Sequence, residues 1–355
     1  MTAMLRSFKG AALTALLPVA IALLVIALGD GAQVRILSVF LINLILVIGL
    51  QIFMGNSNIV NLGHITFMGI AGYAAAILTI PVNIKQTIIP HAPFGLATFQ
   101  LGPIEAGIAA IVLAMLVALL VGVVITRESG ISATILTLAL LVIIHTVLAN
   151  WVDLTRGMRA LYGVPMKANA WVLLAAAVLA IFVGRWFRDS PAGVQLRASG
   201  ESRIAAESSG VDVRRLRLVA WVLGSGVVGL GGVLYVYLLG SVSPKSFYFD
   251  TTLLTLAMLI LGGMHSISGA VVGVIVVTAG FEVMRYFETS PVIFGVKLPE
   301  FLGLTGFFLG LIIVLSMAIR PKGLVGTDEI DETWERRRQA KSAQASASPA
   351  EHSRA

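Results

Sequence analysis

Cysteine is absent from the 355 residues. That excludes disulfides, thiolate metal sites and a cysteine nucleophile. Charge is scarce: Asp, Glu, Lys and Arg make up 12% of the chain, against 57% hydrophobic residues and a mean hydropathy of +0.94. A soluble domain of this length needs far more polar surface, so the composition points to a polytopic membrane protein with no domain-sized soluble region. The phosphate-binding loop G-x-x-x-x-G-K-[ST] is missing as well. Its nearest approach, Ser243-Pro244-Lys245-Ser246, lacks the glycine before the lysine. The chain is therefore expected not to hydrolyse ATP, and a pump built on it must draw energy from a partner or an ion gradient. No histidine spacing suggests a metal site, and no cofactor is expected.

What is present is apolar and helical in length. A bilayer core of about 30 Å needs roughly 20 helical residues. Runs of that size cover 11–28, 36–54, 59–80, 106–125, 131–152, 168–187, 218–240, 251–281 and 301–319. Helices satisfy their own backbone polar groups, as lipid demands, so the fold class is all-α: a polytopic membrane helix bundle. The first run follows Arg6 and Lys9 and resembles a signal peptide in charge, but its length marks it as a retained span. The run 251–281 would make one helix of about 46 Å, too long for one crossing. Gly262-Gly263-Met264-His265-Ser266-Ile267-Ser268-Gly269 interrupts it, which predicts two helical pieces joined at a glycine-rich break. Basic residues near both ends place the N- and C-termini on the cytoplasmic side. The broken segment then contributes zero or two crossings, and parity gives eight or ten spans, within the expected eight to ten. The membrane region is expected over 1–326, and the tail 327–355, charged and then Ser/Ala-rich, is expected to be disordered.

The net charge of +7 is local: Arg6 and Lys9, seven arginines from Arg185 to Arg217, and Arg336-Arg337-Arg338. Such clusters mark cytoplasmic faces, so no nucleic-acid partner is expected. The charged stretch 188–217 lies between spans, where a membrane protein can meet a soluble partner. At its centre stands Ile204-Ala205-Ala206-Glu207-Ser208-Ser209-Gly210. Ala205 and Ala206 allow close approach to a helix, and Gly210 can end that helix in the left-handed region. Arg197, Glu201 and Arg203 offer charge at its rim. An ordinary loop helix is the plain alternative.

Polar side chains inside the apolar runs are the other candidates. Asn61, His64 and Thr66 lie where a polar stretch enters the third run, His145 lies deep in the fifth, and His265 and Ser266 sit in the glycine-rich break. Each is read either as lining a translocation path, giving hydrogen bonds to a zwitterion or carboxylate, or as bonding neighbouring helices. Glu105, Glu282 and Glu300 sit at span edges as interfacial anchors, and Trp151, Trp171, Trp186 and Tyr286 read as belt residues.

These motifs carry a resemblance. The 197–211 stretch resembles the coupling loop of ABC importer permeases, and more closely that of the membrane-spanning subunit of branched-chain amino-acid importers. Four other stretches agree in order: Asn61-Leu62-Gly63-His64 through Tyr73, Ser243-Pro244-Lys245-Ser246-Phe247, Ala257–Gly273, and Arg320-Pro321-Lys322-Gly323-Leu324. Ile204, Asn61 and His265 depart from the usual pattern; the last two bear on substrate identity. The resemblance implies a second permease subunit, two cytoplasmic ATPase subunits that hydrolyse the ATP, a soluble substrate-binding protein and a place in the bacterial cytoplasmic (inner) membrane among its lipids. It implies that Arg197, Glu201, Arg203, Ala205, Ala206, Glu207 and Gly210 couple to the ATPase. The implied cargo is branched-chain amino acids, with urea, amides or aromatic carboxylates as alternatives. An autonomous secondary transporter would want a carboxylate well inside a span, which the sequence lacks. An intramembrane enzyme would want a nucleophile–base pair, and Thr137 with His145 lie on poorly matched helix faces.

Overall fold

The computed structural model describes residues 2–288, 292–293, 296–297, 303–319, 323–326, 329 and 332. The chain runs through helices α1 (Thr2–Leu28), α2 (Gly31–Ser57), α3 (Ile65–Thr79), α4 (Val82–Ile88), α5 (Pro103–Ile125), α6 (Gly130–Asn150) and α7 (Val152–Thr155). It continues through α8 (Ala170–Asp189), α9 (Pro191–Glu201), α10 (Arg203–Ser208), α11 (Val213–Leu239), α12 (Phe249–Gly262), α13 (Ile267–Glu288) and α14 (Leu304–Ile319). Two-residue strands β1 (Leu161–Tyr162) and β2 (Ser241–Val242) pair antiparallel, as do β3 (Val292–Ile293) and β4 (Val296–Lys297).

The result is an all-α membrane bundle. Seven helices among the described residues are long and apolar enough to cross a membrane, or eight if the α3–α4 pair, bent by 116°, counts as one span. α12 and α14, with 14 and 16 residues, are shorter than an ordinary crossing. α2 forms the axis. Asp30 starts it with a capping box, accepting from Gln33 N at 3.0 Å while its own N–H reaches Gln33 Oε1 at 3.3 Å. Its apolar residues are buried nearly all round, against α8 and α13 on one side and α11 on the other. α11 carries α3 and α5 on its far side, locked by buried Trp221. That indole stacks edge-on against Phe53 and Phe67 and donates to the Ala118 carbonyl at 3.0 Å.

Two details depart from the hydropathy pattern or sharpen it. The third apolar run is not one helix from 59: α2 ends at Asn58 in the left-handed region, and helix resumes only at Ile65. The Asn61 carboxamide takes the Gly63 N–H at 2.9 Å, a local turn that competes with helix. Threonines of α6 satisfy the freed backbone: Thr137 Oγ1 accepts from Leu62 N at 3.1 Å and Thr134 Oγ1 donates to the Val60 carbonyl at 3.0 Å. Irregular backbone survives at membrane depth only with such cover. The glycine-rich break is present as expected, and α12 and α13 fold back on each other as an antiparallel hairpin. A Cβ at Gly262 or Gly273 would overlap the facing carbonyl of Gly269 or Met258, so only glycine permits this approach.

Candidate functional site

The C-terminal ends of α2, α8 and α12 and the starts of α11 and α13 meet at one end of the bundle, and α9 and α10 cover them. The expected single helix-turn is two short helices. Ser190 caps α9, accepting from Gly193 N at 3.1 Å, and Ser202 breaks the line and caps α10 through Ala205 N at 3.4 Å. Arg197 points inward, not to the rim: its Nη1 lies 3.0 Å from Asn56 Oδ1 and 2.6 Å from the Arg188 carbonyl, pinning α9 to α2 and α8. Burial, reinforced by neighbouring Arg188, pushes its guanidinium down to about 10.

α10 stands proud of this platform. Ile204 is 79% exposed, and Ala205, Glu207 and Gly210 are open to solvent, while Ala206 is the residue that packs inward. Arg203 Nε and Glu207 Oε1 form a surface pair at 2.7 Å, and Glu201 is exposed at the end of α9. Gly210 has φ +82, and the Val211 N–H closes back on the Ala206 carbonyl at 3.1 Å. This is the left-handed helix stop expected of that glycine. An exposed isoleucine on a short, capped, charge-rimmed helix is a shape for docking a protein.

His265 and Ser266 belong to this same end. The His265 carbonyl accepts from Arg188 Nε at 3.4 Å. Burial, with the repulsion of Arg197 and Arg188, lowers its imidazole below the ordinary value against the opposing pull of Glu201. Ser266 is buried and caps α13, accepting from Gly269 N at 3.1 Å. Beneath them Glu329, placed by sequence in the tail, is 0% exposed. Its Oε1 accepts from Ile267 N at 2.8 Å and its Oε2 from Ser268 N at 3.0 Å. Arg185 Nη1 and Arg188 Nε approach the two oxygens at 3.2 and 3.1 Å. Sequence reasoning missed Glu329, Arg185 and Arg188 as a unit. The rest of the expected tail, save Glu332, lies outside the described residues, as do Arg320, Pro321 and Lys322.

A second polar cluster sits inside the bundle where α3 begins. His64 is buried, with Nε2 2.8 Å from Thr255 Oγ1 of α12 and Nδ1 3.3 Å from the Asn61 carbonyl. Thr66 is buried beside them, its hydroxyl without a hydrogen-bond partner among the described residues. Asn61, His64 and Thr66 are thus brought together, and Thr255 is the partner that sequence did not supply. His145 lies apart, its ring stacked on Tyr248 at 3.9 Å between centroids.

At the opposite end, Tyr237 donates to the Pro103 carbonyl at 2.8 Å. There the 89–101 loop wraps the buried Lys85 ammonium, held by the carbonyls of Leu96 and Phe99.

Comparison with known proteins bears on this geometry. The model of the family described as branched-chain amino acid transport system / permease component matches residues 33–317. The chain belongs to that family. The high-affinity branched-chain amino acid transport system permease protein LivM of Escherichia coli (strain K12) is 26% identical over 344 residues, covering 86% of this chain and 74% of the relative. LivM of Salmonella typhimurium is 25% identical over 86% of this chain and 73% of its own. The probable branched-chain amino acid transport permease protein LivH of Methanocaldococcus jannaschii is 30% identical over a shorter stretch, 38% of this chain and 41% of the relative. No solved structure matches the chain. The permease family match covers nearly all of α2 and extends to α13 and much of α14, so it includes the Asn61–His64–Thr66 cluster and the α9–α10 platform, while Glu329 and Glu332 lie beyond it.

Proposed function

We propose that this permease works in an ATP-driven ABC importer of the bacterial inner membrane, with branched-chain amino acids as cargo. In this reading a soluble binding protein delivers the cargo, a second permease subunit completes the path, and two ATPase subunits dock on the cytoplasmic side. In this reading that side is the α9–α10 end, and both termini of the chain are cytoplasmic. The exposed face of α10, with Ile204 at its crest and Arg203, Glu207 and Gly210 around it, is the observation that carries the proposal. ATP binding would draw the ATPases together, and α10, lodged in one of them, would pass that motion through α9 to the bundle. Arg197 suits α9 to that task, because it fastens the helix to the ends of α2 and α8.

The Asn61–His64–Thr66 cluster is proposed as the polar joint of the path. It lies where α3 begins inside the bundle and is bonded to α12 through Thr255. Uncharged donors and acceptors there suit a zwitterion that must not be held tightly.

Affinity purification of the chain from its native membrane, followed by identification of the co-purifying proteins, tests the proposal. An ATPase and a second permease are expected. Ile204→Glu, at an exposed position that the fold does not need, should release the ATPase and keep the second permease. Recovery of the chain alone in several mild detergents would reject the importer reading.

A further inference from the structure

Glu329 is a single carboxylate shared by two parts of the molecule that otherwise meet through limited helix packing and the Arg188 bond to the His265 carbonyl. On one side are Arg188 in the last turn of α8 and Arg185 just before it. Only Ser190 separates that turn from α9, and Arg197 bolts α9 back to the Arg188 carbonyl. On the other side is the start of α13, whose first two N–H groups and the Ser268 hydroxyl, at 2.6 Å, all donate to Glu329. Negative charge at a helix start is favourable. The described residues 323–326 are held at the same end. Leu324 N and Val325 N donate to the carbonyls of Leu261 and Gly262 at 2.9 and 3.1 Å, fastening the segment beneath the α12–α13 turn. Glu332 adds a second hold, with Oε1 3.1 Å from Arg188 Nη1 and Oε2 accepting from Glu329 N at 3.3 Å.

A fully buried carboxylate is costly unless paired and bonded on every side. This one spends all its bonding on joining the α8 end to the α13 start. α13 packs against α12, and α12 carries Thr255, the partner of His64. A continuous path therefore runs from α10 through α9, the α8 arginines, Glu329 and the α12–α13 hairpin to the polar joint.

We propose that Glu329 is a positioning residue that makes the α8–α9 corner and the α12–α13 hairpin move as one body, so that ATPase motion reaches the path. The proposal rests on the importer reading above. Loss of this link should leave the ATPase docked and turning over while transport falls behind.

The test uses the intact importer complex in liposomes, with binding protein and radiolabelled leucine, and counts leucine moved per ATP hydrolysed. Glu329→Gln should retain the ATPase and hydrolyse ATP within about twofold of wild type, while leucine per ATP drops at least tenfold. An unchanged ratio, or uptake and hydrolysis falling together in proportion to the amount of complex, overturns the proposal. If Glu329→Gln does not accumulate, Glu332→Gln decides, because it leaves Glu329 in place. Its ratio should fall about threefold at normal protein level, and an unchanged ratio again overturns the link. A wild-type complex with no ATP-driven leucine uptake would remove the importer reading itself, and that arm is read before any variant.

Discussion

Gly210 permits a prediction with a worked magnitude. Nothing lies within 4 Å of where its Cβ would stand, so a side chain there meets no clash. What it meets is φ +82. Holding a non-glycine residue in the left-handed region costs about 1–2 kcal/mol, with Asn penalised least. α10 has six residues, and a helix so short has no stability of its own. The strain should therefore be relieved by opening its last turn, closed by Gly210 N to the Glu207 carbonyl at 3.0 Å, and not by unfolding the bundle. About 1.4 kcal/mol is a tenfold shift in population. Gly210→Asn should behave nearly as wild type, Gly210→Ala should retain roughly tenfold less ATPase, and Gly210→Val should be worse, because a β-branched residue tolerates this φ least. All three should accumulate in the membrane to the same level. The assay is ATPase co-purified per permease, with uptake measured in parallel. Equal retention across the series, or Asn as damaging as Val, would refute the argument from backbone strain.

Other perturbations test other parts. Thr255→Val removes the hydroxyl partner of the buried His64 ring and should cost about 1–3 kcal/mol, read as a lower midpoint of thermal unfolding in detergent; an unchanged midpoint would show that the bond contributes nothing. Gly262→Ala should sharply reduce folded protein, since its Cβ would overlap the Gly269 carbonyl, whereas Gly306→Ala, with open space around it, should not; equal yields of the two variants would contradict the packed hairpin. Acidification should loosen the α9 end in two stages. His265 has its folded value lowered, so the unfolded chain binds its proton first and stability is lost as pH falls from about 6.5 toward the folded value. For Glu332, burial pushes the carboxyl up, but the Arg188 hydrogen bond and charge outweigh it and leave the net value lowered. Its contribution is present above the ordinary glutamate range and is lost below it. Hydrogen exchange at Ile267 and Ser268 across pH should show both stages, and His265→Gln should abolish only the first.

Much of this architecture is legible in the chain because lipid imposes a simple code. Uninterrupted apolar runs become helices, and Gly262 and Gly269 mark the hairpin turn. Arginines collect at the end where α9 and α10 sit. The parts that sequence did not reveal depend on partners distant along the chain. Asn61 lies in a run apolar enough to read as a helix, and what breaks that helix is its own carboxamide together with threonines of α6. Glu329 reads as one acidic residue in a charged tail; its meaning depends on Arg185 and Arg188, far earlier in the chain, being folded beneath it. Arg197 looks like a rim charge until Asn56 arrives beside it. Seen alone, His64 and His265 were equivalent candidates. Thr255 assigns the first to the interior joint, and the hydrogen bond from Arg188 to the His265 carbonyl assigns the second to the α9 end.

The almost complete burial of α2 carries a consequence for biogenesis. Its shielding neighbours α8, α11 and α13 are all made after it, so α2 must wait in the bilayer with Gln51 and Asn56 unshielded. At ordinary synthesis rates of about 5–20 residues per second, α11 follows on the order of ten seconds later or more. The axis of the finished bundle is therefore a helix that must first survive as a lipid-facing one, which accounts for its carrying Arg35 near its start and no other charge along its length.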